Sequence, residues 1–159
     1  MLKIKSEIEK KMTQNPAVAF RGELSFCSNF FICAFTYNGV MFPTSEHAFQ
    51  WAKCKNEADK VKVLQAITPG DAKKIGKQVE LVDDWDTKRL TVMLEVIRAK
   101  FKNPLLADRL IKTGDKELVE HNTWNDYYWG VCNGEGENWL GKILMKVREE
   151  LKCSHSETK

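Results

Sequence analysis

The sequence predicts a single α+β domain, mostly α-helical, with a small antiparallel sheet packed against helices. Three observations predict it. Asn38-Gly39 stands between the apolar runs Ile32–Tyr37 and Val40–Phe42. Asn-Gly takes positive φ at both turn positions, so the stretch is a hairpin. Two long segments carry apolar residues at helical spacing, Leu90, Met93, Leu94, Ile97 and Phe101 in one and Leu140, Ile143, Leu144, Val147 and Leu151 in the other. Thr44 after Pro43, and Thr68 before Pro69, are helix-start signals, the threonine capping the first turn and Pro69 taking the first helical position.

Taken in order, residues 1–16 are a charged lead-in, with 1–14 reading as a short helix on Leu2, Ile4, Ile8 and Met12. The domain is expected over 17–152 and a frayed tail over 153–159. Ala17–Phe20 reads as a strand ended by Arg21-Gly22, and Leu24–Phe31 as an aromatic-rich loop. After the hairpin, helices are predicted over Ser45–Cys54, over Glu57–Ile67 and from Thr68 to about Gly76. Asp84 or Asp86 opens the longest helix, ending near Lys102. A short one over Pro104–Ile111 is closed by Thr113-Gly114. Leu118–Glu120 reads as a strand, Asn122–Trp129 as a polar and aromatic loop, and Trp139–Leu151 as the last helix. Gly130, Gly134 and Gly136 lack the spacing of a dinucleotide fingerprint and predict a loop near a pocket mouth.

Bulk properties exclude several classes. A chain of 159 residues with 43% apolar and 30% charged residues is an ordinary globular composition. A net charge of +3 tolerates an anionic ligand without marking a non-specific nucleic-acid binder. No apolar run approaches the about 18 residues of a membrane span. The first residues lack the apolar core of a secretory signal. Five scattered cysteines, none in a C-x-x-C, predict no disulfide framework and a reducing cytoplasmic setting. Three histidines without paired Cys/His spacing predict no metal site.

The stretch most dense in chemistry is Phe42–Lys53. On a helix starting at Ser45, Glu46, Gln50 and Lys53 share one face, and His47, Trp51 and Cys54 a neighbouring one. The face aligns a carboxylate, an amide and an ammonium beside an imidazole and an indole.

Together with more distant pieces, that stretch resembles the NADAR / YbiA-like family. The matching pieces are Ser28-Asn29-Phe30, Pro43–Gln50 with Lys53, Trp85, Arg98–Phe101, Thr113-Gly114-Asp115 and Leu118-Val119-Glu120. Asn125-Asp126, Trp129-Gly130, Asn138 with Leu140-Gly141-Lys142, Leu144-Met145 and Val147-Arg148-Glu149 complete them. Each is weak alone; their order and spacing are specific. Trp139 departs from the pattern, which has a basic residue there in many relatives. The resemblance implies a hydrolase of N-glycosyl bonds that needs only water and no cofactor. Two substrate classes go with it, ribosylamino-pyrimidine phosphates of riboflavin synthesis and ADP-ribose on guanine bases of nucleic acid. The implied partner is therefore a nucleotide-like small molecule or ADP-ribosylated nucleic acid, with no membrane.

On that footing Glu46 and Asp126 are the expected carboxylate pair. In a first helical turn the macrodipole favours ionised Glu46, which suits a base or cation stabiliser. Asp126 sits in a polar loop, where it assists water or a ribose hydroxyl, or closes an Asx-turn. Lys53 either holds the charge of Glu46 or grips phosphate, its competing role being an ion pair with Glu57. Lys100 and Arg148 are further cations, with exposure and a structural salt bridge as their alternatives. Asn29, Phe30, Gln50, Gly130 and Asn138 are expected at the substrate, and Trp129 is the expected platform for a planar base. His47 is either an acid/base or a buried, hydrogen-bonded histidine. Trp51 and Trp85 read as core. The alternative to catalysis is a non-catalytic ADP-ribose or nucleotide-binding module.

Overall fold

The computed structural model describes residues 20–156. The lead-in helix and residues 17–19 of the expected first strand lie outside the described residues; Phe20 is buried but not in a strand. A 3-10 turn, Gly22–Cys27, occupies much of the stretch read as loop, and buries Phe26 and Cys27. The hairpin follows as β1 (Phe35–Tyr37) and β2 (Val40–Phe42), antiparallel, with Phe35 opposite Phe42 and Tyr37 opposite Val40. Asn38 and Gly39 have φ of 50° and 77°, the backbone this turn requires. Alternation puts Phe35, Tyr37 and Phe42 inward, against Ala48, Val96 and Ala99.

Among the described residues six α-helices make up most of the rest: α1 (Ser45–Ala52), α2 (Glu57–Leu64), α3 (Pro69–Gly76), α4 (Trp85–Lys100), α5 (Pro104–Lys112) and α6 (Trp139–Ser156). Thr44, Asn56, Thr68 and Asn103 cap α1, α2, α3 and α5 through their side chains. α2 stops at Leu64, short of the expected Ile67, because Thr68 already turns the chain into α3. The last helix runs past Leu151 to Ser156 and, at 18 residues against 16 for α4, is the longer of the two. Its stripe of Leu140, Ile143, Leu144 and Val147 closes on Met93, Ile97 and Phe101 of the α4 segment and on Leu106 and Leu110 of α5, forming the main core. α1 packs against α2, α3, α4 and β2 and is buried from Ser45 to Gln50. No helix among the described residues is long and apolar enough to cross a membrane.

Leu118–Glu120 is not a strand. The strand comes one residue later, β3 (His121–Asn122), paired in parallel with β4 (Val131–Cys132). The backbone just before it is claimed instead by Asn138. That side chain accepts from the Glu120 N–H at 3.0 Å and donates to the Leu118 carbonyl at 2.9 Å. Between β3 and β4 the chain loops around Asn122. Its Oδ1 accepts from the N–H groups of Trp124 and Asp126, and its Nδ2 donates to the Asp126 carbonyl at 2.8 Å. The same loop meets the start of α6, where the N–H groups of Trp139 and Leu140 donate to the carbonyls of Tyr128 and Trp129.

Gly141 makes this join possible, since a Cβ there would collide with the Leu118 carbonyl and with both amide atoms of Asn138. Alanine in place of glycine stabilises a helix interior by about 1 kcal/mol. Overpacking against rigid backbone costs about 3 kcal/mol. We expect Gly141→Ala to be net destabilising by about 2 kcal/mol in urea unfolding. A variant as stable as the wild type would contradict the close approach.

Candidate active site

α1 reaches the site with its N-terminus. Thr44 Oγ1 accepts from the His47 N–H at 3.2 Å, and the N–H of Glu46 donates to the Asn29 carbonyl at 3.0 Å. The second bond ties the Ser28-Asn29-Phe30 segment to the helix start. Beside it lies a cavity of about 470 Å³, within the range of small-molecule sites. Glu46, Phe49 and Gln50 of α1, Lys73 of α3 and Met93 of α4 line one part of its wall. Ser28, Asn29 and Phe30 line another, with Phe20 and Arg21 before them. The segment around β3 and its loop adds Glu120, Trp124, Asp126 and Trp129, and Leu140 comes from α6. Phe49 is the apolar centre, with Trp129 edge-on at 5.4 Å and Trp85 at 5.2 Å between ring centroids.

Three carboxylates, Glu46, Glu120 and Asp126, therefore share one cavity, each differently held. Glu46 is 6% exposed, and its Oε1 accepts from Gln50 Nε2 at 2.6 Å. Burial is the largest influence on its acidity and raises its pKa. The Gln50 hydrogen bond, Lys73 and Lys53 pull the other way, while the Asp126 charge adds to the rise. The helix dipole alone predicts a readily ionised Glu46; desolvation outweighs it. Asp126 Oδ1 accepts from the N–H groups of Tyr128 and Trp129, at 3.2 and 2.9 Å, so the Asx-turn geometry is present in a carboxylate that also lines the cavity. Glu120 is pushed up to about 7, first by burial and then by Asp126, with Lys73 opposing.

Lys73 lines the cavity with its ammonium 5.9 Å from the ring centres of both Phe30 and Trp124. These rings are 43% and 50% exposed, so two aromatic side chains and a cation meet solvent together at the cavity. Among the described residues five buried side-chain polar atoms lack a hydrogen-bond partner. Asn29 Oδ1, Gln50 Oε1 and Glu120 Oε2 are three of them, all on residues of the cavity wall. Such atoms are rare in folded proteins, and their concentration here marks a place built for something other than packing.

Of the residues expected at the site, Glu46, Asp126, Asn29, Phe30, Gln50 and Trp129 line the cavity, and six do not. His47 is tied off, its Nδ1 at 2.7 Å from Thr44 Oγ1 and its Nε2 at 3.1 Å from the Ala66 carbonyl. Lys53 lies behind Gln50, where Gly76 admits both side chains, and burial lowers its pKa. It reaches Glu46 through its field alone. Lys100 is wholly buried and donates to the Ser28 carbonyl at 2.9 Å; burial pushes it down to about 8. It props the Ser28–Phe30 segment from behind. Arg148 is spent on Thr113 Oγ1 and the Lys116 carbonyl, at 2.9 and 2.8 Å. Asn138 is the clasp described above. Gly130 lets the loop press against Glu120, since a Cβ there would collide with its carbonyl and with the Asn122 side chain.

The residues that sequence reasoning left out of the site are Arg21, Ser28, Lys73, Glu120 and Trp124, together with the apolar wall. Glu120 and Trp124 lay inside stretches already singled out, and a carboxylate directly after Leu118-Val119 was the available signal. Lys73 carries none: it reads as any lysine on a helix surface.

Comparisons with known proteins bear on what such a cavity is for. A family model described as the NADAR domain matches residues 11–152. The chain is 40% identical over 130 residues to a riboflavin biosynthesis protein of Vibrio vulnificus, covering 79% of this chain but only 35% of that one. It thus spans about a third of the length of that relative. It is 37% identical over 128 residues to the N-glycosidase YbiA of Escherichia coli, covering 78% of this chain and 79% of that one. The solution structure of the Escherichia coli protein YbiA superposes with a TM-score of 0.80 at 33% identity, covering 88% of this chain and 85% of that one.

The raised pKa of Glu120 has a consequence for stability. A carboxyl that holds its proton more tightly folded than unfolded makes the folded state bind more protons between the two values. Stability then falls as pH rises from the ordinary 4.5 through about 7. We expect Glu120→Gln to flatten this slope, so that the variant gains on the wild type as pH rises through that window. Parallel urea-derived stability curves from both proteins would contradict it.

Proposed function

The chain belongs to the NADAR domain family, and on that premise we propose that it is an N-glycosidase, hydrolysing the bond between a ribosyl C1 and a nitrogen. The observation that carries this reading is the set of three carboxylates lining one cavity, with a cation and open aromatic faces beside them. Cleaving such a bond passes through an oxocarbenium-like sugar. It calls for negative charge near C1, a proton for the departing nitrogen, a placed water and a hold on phosphate and base. Glu46 is the group we assign to the developing cation. Gln50 holds the carboxylate in one orientation, and the first-turn position aims the helix dipole at it. Lys73 takes the role of phosphate ligand in place of Lys53 and Lys100, which lie outside the wall. Phe30, Trp124 and Trp129 offer faces for a planar base.

The riboflavin biosynthesis relative supports ribosylamino-pyrimidine phosphates as one substrate class, and the resemblance to the family adds ADP-ribosyl groups on guanine in nucleic acid as the second that we carry forward. The working setting we propose is the cytoplasm. Purified protein is incubated with each substrate separately and the products are followed by mass spectrometry. Release of ribose phosphate or of ADP-ribose assigns the class. Ligand binding by calorimetry without release of either product replaces the enzyme with a binding module.

Glu46→Gln keeps the hydrogen-bonding shape and loses the charge. We expect its kcat to fall at least about a hundredfold with the circular dichroism spectrum unchanged. Turnover retained in the folded variant removes the assignment. Lys73→Met is expected to raise KM about tenfold with kcat nearly unchanged, because a phosphate held equally in ground and transition states contributes uniform binding. A kcat loss without a KM change would place Lys73 in the chemistry instead.

A further inference from the structure

The three cavity carboxylates are not equivalent as proton donors. Asp126 is used as an acceptor by two backbone N–H groups of its own loop. Glu46 accepts from Gln50, and two lysines act on it. Glu120 has one carboxyl oxygen, Oε2, buried without any partner. A buried carboxyl oxygen in that position is satisfied by carrying a proton, or by a donor that arrives with the ligand.

The backbone beneath Glu120 is clamped from three sides. Asn138 takes its N–H, Val131 donates to its carbonyl at 2.7 Å, and Gly130 lies so close to that carbonyl that a Cβ there would collide with it. The charges around it favour the neutral form. Asp126 from the loop and Glu46 from α1 repel its anion, Lys73 from α3 is the cation that opposes them, and the Phe20 backbone N–H gives a smaller stabilisation. Arg21 shares the cavity wall. A carboxyl group that keeps its proton close to neutrality is what a general acid needs.

We propose that Glu120 is a further catalytic residue, the acid that protonates the departing nitrogen, a proposal that rests on the N-glycosidase reading of the same cavity. The C1–N bond breaks with its electron pair going to nitrogen, and the Glu120 carboxyl proton passes to that nitrogen. The sugar cation left behind faces the Glu46 carboxylate. Water adds through oxygen to C1 and gives a proton to Glu46. Exchange with solvent then returns the proton to Glu120 and takes it from Glu46. No oxidant, metal or second substrate enters the balance. Asp126 keeps the loop in place.

The test is the pH dependence of kcat and KM for the wild type, Glu120→Gln and Glu120→Asp, on whichever of the two substrates the wild type cleaves. The wild-type rate is expected to fall as pH rises through about 7. Glu120→Gln should lose about 10²–10⁴ in kcat with KM within about threefold, its residual rate lacking that alkaline fall. Glu120→Asp, still an acid, should keep part of the rate and keep the fall. The proposal is overturned by a Glu120→Gln kcat within about threefold of wild type, by an alkaline fall that persists in it, or by a raised KM with kcat held. If Glu120→Gln does not fold, the wild type still decides: a rate that does not decline through pH 7 removes the proposal. A wild type that cleaves neither substrate removes the glycosidase reading and this one with it. A cleaving wild type with unaffected variants removes the role of Glu120 alone.

Discussion

The constraint on which the rest depends is that α1 is buried on nearly every side while carrying polar residues. Ser45, Glu46, His47 and Gln50 are all buried within one short helix. Groups of this kind cost free energy inside a protein unless other groups satisfy them. Much of the surrounding structure does so. His47 bridges the cap Thr44 to the Ala66 carbonyl and so ties α1 to the turn before α3. The Glu46 N–H takes the Asn29 carbonyl and draws the Ser28–Phe30 segment in, while Lys100 holds the same segment from below. Gly76 allows α3 to come close enough for Gln50 to lie against it. Ser45 Oγ and Gln50 Oε1 are left without partners, and the Glu46 carboxylate, held by Gln50, lines the cavity.

The other wall is irregular backbone and is made rigid by a different device. Two asparagines serve it, Asn122 inside the loop and Asn138 at the start of α6. Each uses both ends of its amide on main-chain groups that have no ladder to join. Asn138 accepts and donates in a left-handed conformation, φ 54°, which asparagine tolerates better than most residues. Glycines at 130 and 141 let the chain pass where a side chain would collide. A loop held this way places its functional groups while leaving polar groups unclaimed for a ligand.

Bringing these walls together sets the electrostatics. A carboxylate in a dry wall resists ionisation, and the presence of a second one increases the resistance. The cations that offset this are unevenly placed. Lys73 and Lys53 both act on Glu46, whereas Lys73 is the leading cation acting on Glu120. Burial thereby raises the pKa of both glutamates, each against a different set of offsetting groups.

Local patterns in the sequence determined the hairpin, the capped helix starts at Thr44 and Thr68, the apolar stripes of α4 and α6, and the family. Those features depend on neighbours a few residues apart, which is the range over which caps, turns and helical faces act. It also made Glu46, Gln50, Asn29, Phe30, Asp126 and Trp129 legible as candidates, because they sit in dense polar and aromatic stretches. Tertiary structure decided the rest. Whether a lysine grips a ligand or props a carbonyl depends on what lies across from it; Lys100 and Lys73 look alike in sequence and differ entirely in surroundings. Glu120 reads as the end of a strand until Asn138, eighteen residues on, takes its N–H. Only the packing of the loop against α1 and α6 buries that carboxyl, and burial, a property of the whole fold, is what changes its acidity.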